Sequence, residues 1–342
     1  MQKEKYDQFF TVCPRRFFLI LFFCLSLFLQ TAQAAEMLVP VGKTVGVTMD
    51  TQGLLVLGTG SVDGENDRIY TPCKGILQAG DLLLEADGQT LENKEMFLEA
   101  VEKSEGRAVS LRLQRGGREK EVSVKPVYST VDGTYKIGAW IRDSIQGIGT
   151  VTYYDPNDQT FGALGHGVYD VDTGELMQIR EGALVSVELK EIVKGQKGKA
   201  GELTGKIELQ EKFAHIEENT EAGIFGSIST AVFDGEALPV AAAEVKKGKA
   251  HILSDLEGNG VKAYEIEIES LRKDGGKAHK DMTIRITDAR LLKLTGGIVH
   301  GTSGSPILQD GKLVGAVTHV MVNDPTRGYG ILMEHMLGHN KS

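Results

Sequence analysis

Residues 296–306 read Gly-Gly-Ile-Val-His-Gly-Thr-Ser-Gly-Ser-Pro. A serine on a tight turn between small residues presents an unshielded hydroxyl that can attack a carbonyl carbon. Gly301 and Gly304 allow the sharp bends that turn nearby N–H groups into one concavity, the geometry that holds an oxyanion. Ser303 is therefore the candidate nucleophile, with the N–H groups of Gly301 and Ser303 as the candidate oxyanion hole. Ser305 is the rival hydroxyl, but it precedes Pro306, which restricts the chain there.

A serine nucleophile needs a base with a pKa near neutrality. His166, in Phe-Gly-Ala-Leu-Gly-His-Gly at 161–167, is flanked by glycines that leave its ring free to reach a cleft. His319 is placed for substrate contact, and His300 is too close in sequence to Ser303 to serve. His215, His251, His279, His335 and His339 have surface-like contexts and read as solvated. The acid that would orient the imidazole is Asp288, in Ile-Thr-Asp-Ala-Arg at 286–290, with Asp170, Asp172 and Asp234 as competitors.

Those residues need a frame. Ile307–Leu308–Gln309, then Asp310-Gly311, then Lys312 to Val317 reads as strand, tight turn, strand. A serine turn feeding such a hairpin resembles the nucleophile region of chymotrypsin-like serine proteases. Alternation at 183–189, 264–268 and 282–286 predicts half-buried strands. The glycine- and lysine-rich stretch 190–206 reads as a solvated excursion. Residues 135–342 are expected to form an all-β, chymotrypsin-like protease domain with room for two packed β-barrels, in which Thr318, His319 and Val320 bind substrate as an added strand. Ahead of it, residues 40–127 contain strand patterns, a helical pattern at 94–103, and Gly80-Asp81-Leu82 leading to an Asp87-Gly88 turn. This order resembles the PDZ domain, a small α+β fold. The resemblance implies a groove that takes an extended peptide by strand addition, with Val45, Gly46 and Val47 as the receiving edge. Residues 128–134 read as a linker.

The chain has 342 residues and a net charge of −9. Its acidity argues against nucleic acid as a partner. Cys13 and Cys24 precede residue 35 and leave Cys73 alone, so no internal disulfide framework is expected, and no metal-ligand spacing or phosphate loop calls for a cofactor. Arg15-Arg16, the apolar run Phe17–Leu29 and the Ala32-Gln33-Ala34 site describe an export signal over residues 1–34, cleaved or kept as an anchor.

The Gly-His-Gly of His166, Ile-Thr-Asp-Ala-Arg-Leu-Leu at 286–292, the serine motif, Gly-Ala-Val-Thr-His-Val at 315–320 and Val-Asn-Asp-Pro at 322–325 together resemble the SpoIVB peptidase family. That resemblance implies a serine-protease triad of His166, Asp288 and Ser303. It also implies export from the forespore into the space between two membranes, self-processing, and cleavage of a membrane-associated regulatory protein that triggers sigma-factor processing during sporulation. The groove ligand would be a peptide, including the chain's own N-terminal region. Two other classes remain at this stage: a PDZ-type binding protein with an inactive protease domain, and a peptidase with a lysine base.

Overall fold

The computed structural model describes residues 36–338 except 171–173, 229–232, 242–244 and 273–278. Residues 1–34, where an export signal is expected, and Asp172 and His339 lie outside the described residues.

The chain enters a long strand, β1 (Thr44–Thr59), and passes through β2 (Leu82–Ala86), α1 (Lys94–Lys103), β3 (Val109–Arg115) and β4 (Arg118–Val124). It returns along β5 (Ala139–Asp155), followed by β6 (Thr160–Ala163), β7 (Ile179–Val193), β8 (Gly201–Thr220) and β9 (Gly223–Ile228). The pairings β5–β6, β6–β9, β9–β8, β8–β7, β7–β1 and β1–β5 close a ring. Further along come β10 (Gly248–Ser254), β11 (Lys262–Leu271) and β12 (Met282–Ile286), with several other strands of two to four residues elsewhere in the chain. Then come α2 (Ala289–Thr295), β13 (Val299–His300), β14 (Pro306–Gln309), β15 (Lys312–Val320), β16 (Arg327–Leu332) and α3 (Met333–Leu337). A second closed barrel runs β10-β11-β12-β16-β15-β14. The protein is thus mainly β, a double-barrel chymotrypsin-like fold carrying a small PDZ module.

Alternation in the sequence becomes inside and outside of each barrel. Tyr264, Ile266 and Ile268 point into the second barrel, while Glu265 is exposed. Ile284, Ile307, Val314 and Val317 meet them there, and each such side chain removed from water contributes about 1.5–3 kcal/mol. Residues 190–206 correct the expected excursion. Residues 190–193 end β7 and 201–206 begin β8, paired from Leu189↔Gly205 to Val193↔Glu202, so only 194–200 lie between the strands. The expected linker is likewise a small hairpin, in which Tyr128 pairs with Tyr135.

The domain boundary also differs from the sequence expectation. Only the far end of β1 belongs to the PDZ module, where Leu54 and Val56 share a core with Phe97, Leu111 and Ile137. The near end belongs to the first barrel, where Val45, Val47 and Met49 pack with Val151, Leu164 and Leu184. The module is therefore inserted between two halves of a barrel, and β1 and β5 run through both. Cys73 sits in the module core, where burial pushes its thiol up to about 12 and keeps it un-ionised.

This arrangement overturns the peptide-receiving edge expected at Val45, Gly46 and Val47. Val45 faces Gly149 on one side, while Val47 pairs with Gly147 on β5 and Leu184 on β7. A strand paired on both sides cannot accept a third. The apolar groove of the module lies elsewhere, between α1 residues Phe97, Leu98 and Val101 and the segment bearing Tyr135, Ile137 and Trp140. A side chain at Gly46 would begin 2.7 Å from Val185 and 2.9 Å from Ile207. Gly46→Leu should therefore destabilise by at least the about 1–3 kcal/mol typical of overpacking, measured by denaturant unfolding; an open groove would tolerate the change.

Candidate active site

Ser303 is held by the first barrel although its motif belongs to the second. Thr150 of β5 donates its N–H to the Ser303 carbonyl at 2.9 Å and its hydroxyl to the Gly301 carbonyl at 2.8 Å. Thr152 donates its hydroxyl to the Gly304 carbonyl at 2.8 Å. β13, just before the serine, pairs in parallel with Gly201 and Glu202 of β8. Gly304 closes the turn with φ +94°, and a Cβ there would lie 2.0 Å from the Thr150 carbonyl oxygen and 2.5 Å from the Leu164 nitrogen. Only glycine suits both the conformation and the approach. Sequence reasoning missed Thr150 and Thr152. Their signal was present: two hydroxyls at alternate positions of the otherwise apolar stretch Gly149-Thr150-Val151-Thr152-Tyr153, which is buried on both faces.

The Ser303 hydroxyl is partly accessible and donates to the Thr318 carbonyl oxygen at 2.7 Å. Its backbone N–H has no acceptor among the described residues, as an oxyanion donor requires. Gly301 adopts φ +99° beside Leu203. Ser305 has an exposure of 0% and an unpartnered hydroxyl among the described residues, so it cannot meet a substrate.

His166 reaches the same cleft from the first barrel. After β6, Leu164 and Gly165 both take φ +68°, a bend that drives this loop against the second barrel. A Cβ on Gly165 would lie 3.2 Å from the Thr318 side chain. The His166 ring lies 4.8 Å, centroid to centroid, from that of His319. Its Nδ1 is 2.8 Å from the Gly167 carbonyl oxygen, so Nδ1 carries the proton and donates it, leaving Nε2 to accept. Burial lowers the His166 pKa, the Gly167 hydrogen bond partly opposes this, and His300 lowers it further. His319 is pushed from the ordinary 6.5 to about 4 by burial first, then by His166, Lys280 and His300. Both rings are therefore neutral at pH 7.

Asp288 is engaged elsewhere. It caps α2, accepting from the N–H groups of Arg290 and Leu291, and its carboxylate pairs with the Arg290 guanidinium at 2.7 Å. Arg290 is the main cause of a carboxyl pKa held well below the usual carboxylate range, with burial opposing and the backbone N–H groups of Arg290, Glu265 and Leu291 assisting. Among the described residues the partner of His166 Nδ1 is the Gly167 carbonyl, not Asp288. The acid expected to orient the imidazole is thus spent as a helix cap, because a cation and first-turn N–H groups lie within three residues of it. Of its competitors, Asp170 is buried against Arg142 and Asp234 is exposed.

The substrate edge expected at Thr318, His319 and Val320 has one open side. His319 and Val320 pair with Tyr329 and Gly328 of β16, while pairing with β14 ends at Ala316. His279 and His335, read as solvated, are instead partly buried around Asp281.

Two measurements follow from these environments. Asp288→Ala should cost about 1 kcal/mol at pH 7, the usual worth of an N-cap. Because the folded carboxyl pKa is depressed, that stabilisation is full above about pH 4 and fades as pH falls below it, so parent and variant should converge in acid unfolding curves. His319 titrates in the same sense over a higher pH range, since its protonation is penalised in the fold. Stability should decline as pH falls from 6.5 toward about 4, and His319→Gln should flatten that decline in thermal melts.

A family model for the SpoIVB peptidase S55 matches residues 133–337. Among solved structures, the PDZ domain of the SdrC-like protein from Listeria monocytogenes is 25% identical, covering 26% of this chain and 87% of that one, with a TM-score of 0.22. The active form of the Rv3671c protease from M. tuberculosis is 16% identical, covering 58% and 73%, with a TM-score of 0.33. A thermostable serine protease, AL20, from an extremophilic microorganism is 12% identical, covering 57% and 88%, with a TM-score of 0.34. No curated protein matches.

Proposed function

The chain belongs to the SpoIVB peptidase S55 family and is a serine peptidase, and from that premise we propose that Ser303 and His166 carry the reaction. The observation that supports this most is the Nδ1–H of His166 held by the Gly167 carbonyl, which leaves the basic nitrogen free in the cleft that holds Ser303. Ser303 turns away from the Thr318 carbonyl and attacks the peptide carbonyl carbon as its proton passes to His166 Nε2. The N–H groups of Ser303 and Gly301 hold the oxyanion, and the imidazolium returns the proton to the leaving amine. Water then hydrolyses the acyl ester by the same path in reverse roles. The Gly167 carbonyl fixes the tautomer that the triad logic assigns to a carboxylate. The substrate lies as an added strand along Thr318 to Val320.

The signal at residues 1–34 supports export, and the family resemblance supports a self-processing enzyme that cleaves a membrane-associated regulatory protein during sporulation, between forespore and mother-cell membranes. The groove beside α1 supports capture of an extended peptide, from a partner or from the chain's own N-terminal region.

Expressing the chain from residue 35, with and without Ser303→Ala, and following intact mass over time tests the assignment. Self-cleavage should occur in the parent and slow by about 10⁶-fold in the variant, as in other hydroxyl nucleophiles. Equal cleavage in both would remove Ser303 from the mechanism, and no cleavage in either would favour a binding protein with an inactive protease domain.

A further inference from the structure

His279, Asp281 and His335 form a cluster that the peptidase reaction does not use. His279 and Asp281 precede β12, and His335 lies on α3. One ligating atom of each lies within 4.8 Å of the other two. The Asp281 side chain is fully buried, with 0% exposure. Its Oδ2 accepts from the Leu332 N–H at 2.8 Å and lies 2.7 Å from His335 Nδ1. Its Oδ1 is also buried and has no hydrogen-bond partner among the described residues. A buried, unpartnered carboxylate oxygen is costly, and a fold that retains one points to a missing positive partner.

We propose that His279, Asp281 and His335 bind a divalent transition-metal ion, zinc by first preference. Two imidazoles and one carboxylate are the donor set of zinc and its neighbours, whereas calcium and magnesium take oxygen donors. Zinc bonds of about 2.0–2.2 Å place tetrahedral ligands roughly 3.4 Å apart. The present spread closes by movement of His279, which is partly exposed at a turn. The ion needs neutral imidazoles and an ionised carboxylate, so any protons they hold pass to solvent. Water fills the fourth position.

The bound ion joins α3 to the approach to β12. Asp281 already donates its N–H to the Gly330 carbonyl of β16 at 3.0 Å. β16 carries Tyr329, opposite His319 of the substrate edge, and the Lys280 ammonium lies 4.9 Å from the Tyr329 ring centroid. The metal would clamp α3 and the approach to β12 against the strand that backs the substrate edge.

The test uses the full chain carrying Ser303→Ala, so that no self-processing intervenes, stripped with chelator and titrated with Zn²⁺ by calorimetry and with Co²⁺ by visible absorption. One equivalent of saturable binding is expected, with a rise in melting temperature. His279→Gly suits the backbone φ of 44° at that position and leaves the Asp281–His335 contact in place. It should weaken Zn²⁺ binding by at least about 10-fold, with reference to the 10–100-fold cost of losing an outer partner, and abolish the thermal shift. His215→Ala, an exposed histidine elsewhere, should change neither. Absence of saturable binding, or an affinity unmoved by His279→Gly, would overturn the proposal.

Discussion

The site depends on the contact between the Gly304 turn and the strand that carries Thr150 and Thr152. Three hydrogen bonds from two residues of the first barrel fix the carbonyls of Gly301, Ser303 and Gly304. With carbonyls held, the peptide planes on either side are held too, which sets the direction of the Ser303 N–H. Donors aimed in advance need no reorganisation when charge develops. The chemistry therefore belongs to the seam between the barrels, and neither barrel alone contains it.

Much of this was legible in the sequence. Period-two alternation gave the strands, and the Asp310-Gly311 turn gave the hairpin. The Gly-x-Ser-Gly pattern marked the tight turn that carries Ser303, because φ values above +90° at Gly301 and Gly304 are costly for other residues. What was not legible depended on pairing over long separations. Val45 to Val47 look the same in sequence whether they form an open edge or a barrel stave; the partners that decide it lie about 100 and 140 residues away. Asp288 shows the same limit from the other side. Its local neighbours, Arg290 and the first turn of α2, satisfy it in a way that motif matching does not weigh. His279 and His335 read as surface residues because Asp281, which buries between them, is brought to His335 by a separation of 54 residues.

The hydrogen bond from Ser303 to the Thr318 carbonyl links the proposed nucleophile to the proposed substrate edge. The acceptor belongs to the strand on which an extended substrate would lie, so the hydroxyl is held by the binding surface until it turns toward His166. The neutral imidazole of His319, next along that strand, lies 4.8 Å from the neutral imidazole of His166. Burial above all disfavours protonation of both rings, with His300 adding to the effect at each, and this leaves the basic nitrogen of His166 unprotonated near neutral pH.

The insertion of the PDZ module has a mechanical consequence. Trp140, at the module groove, and Thr150, at the serine turn, lie on the same strand. Ten residues of extended chain, at about 3.3 Å each, make a stiff rod between them, laterally bonded to β1 along most of its length. The module is thus not a pendant on a tether. It cannot swivel about a hinge without peeling ladder bonds from the wall that holds the nucleophile, so its bearing on the cleft is set by the strand itself.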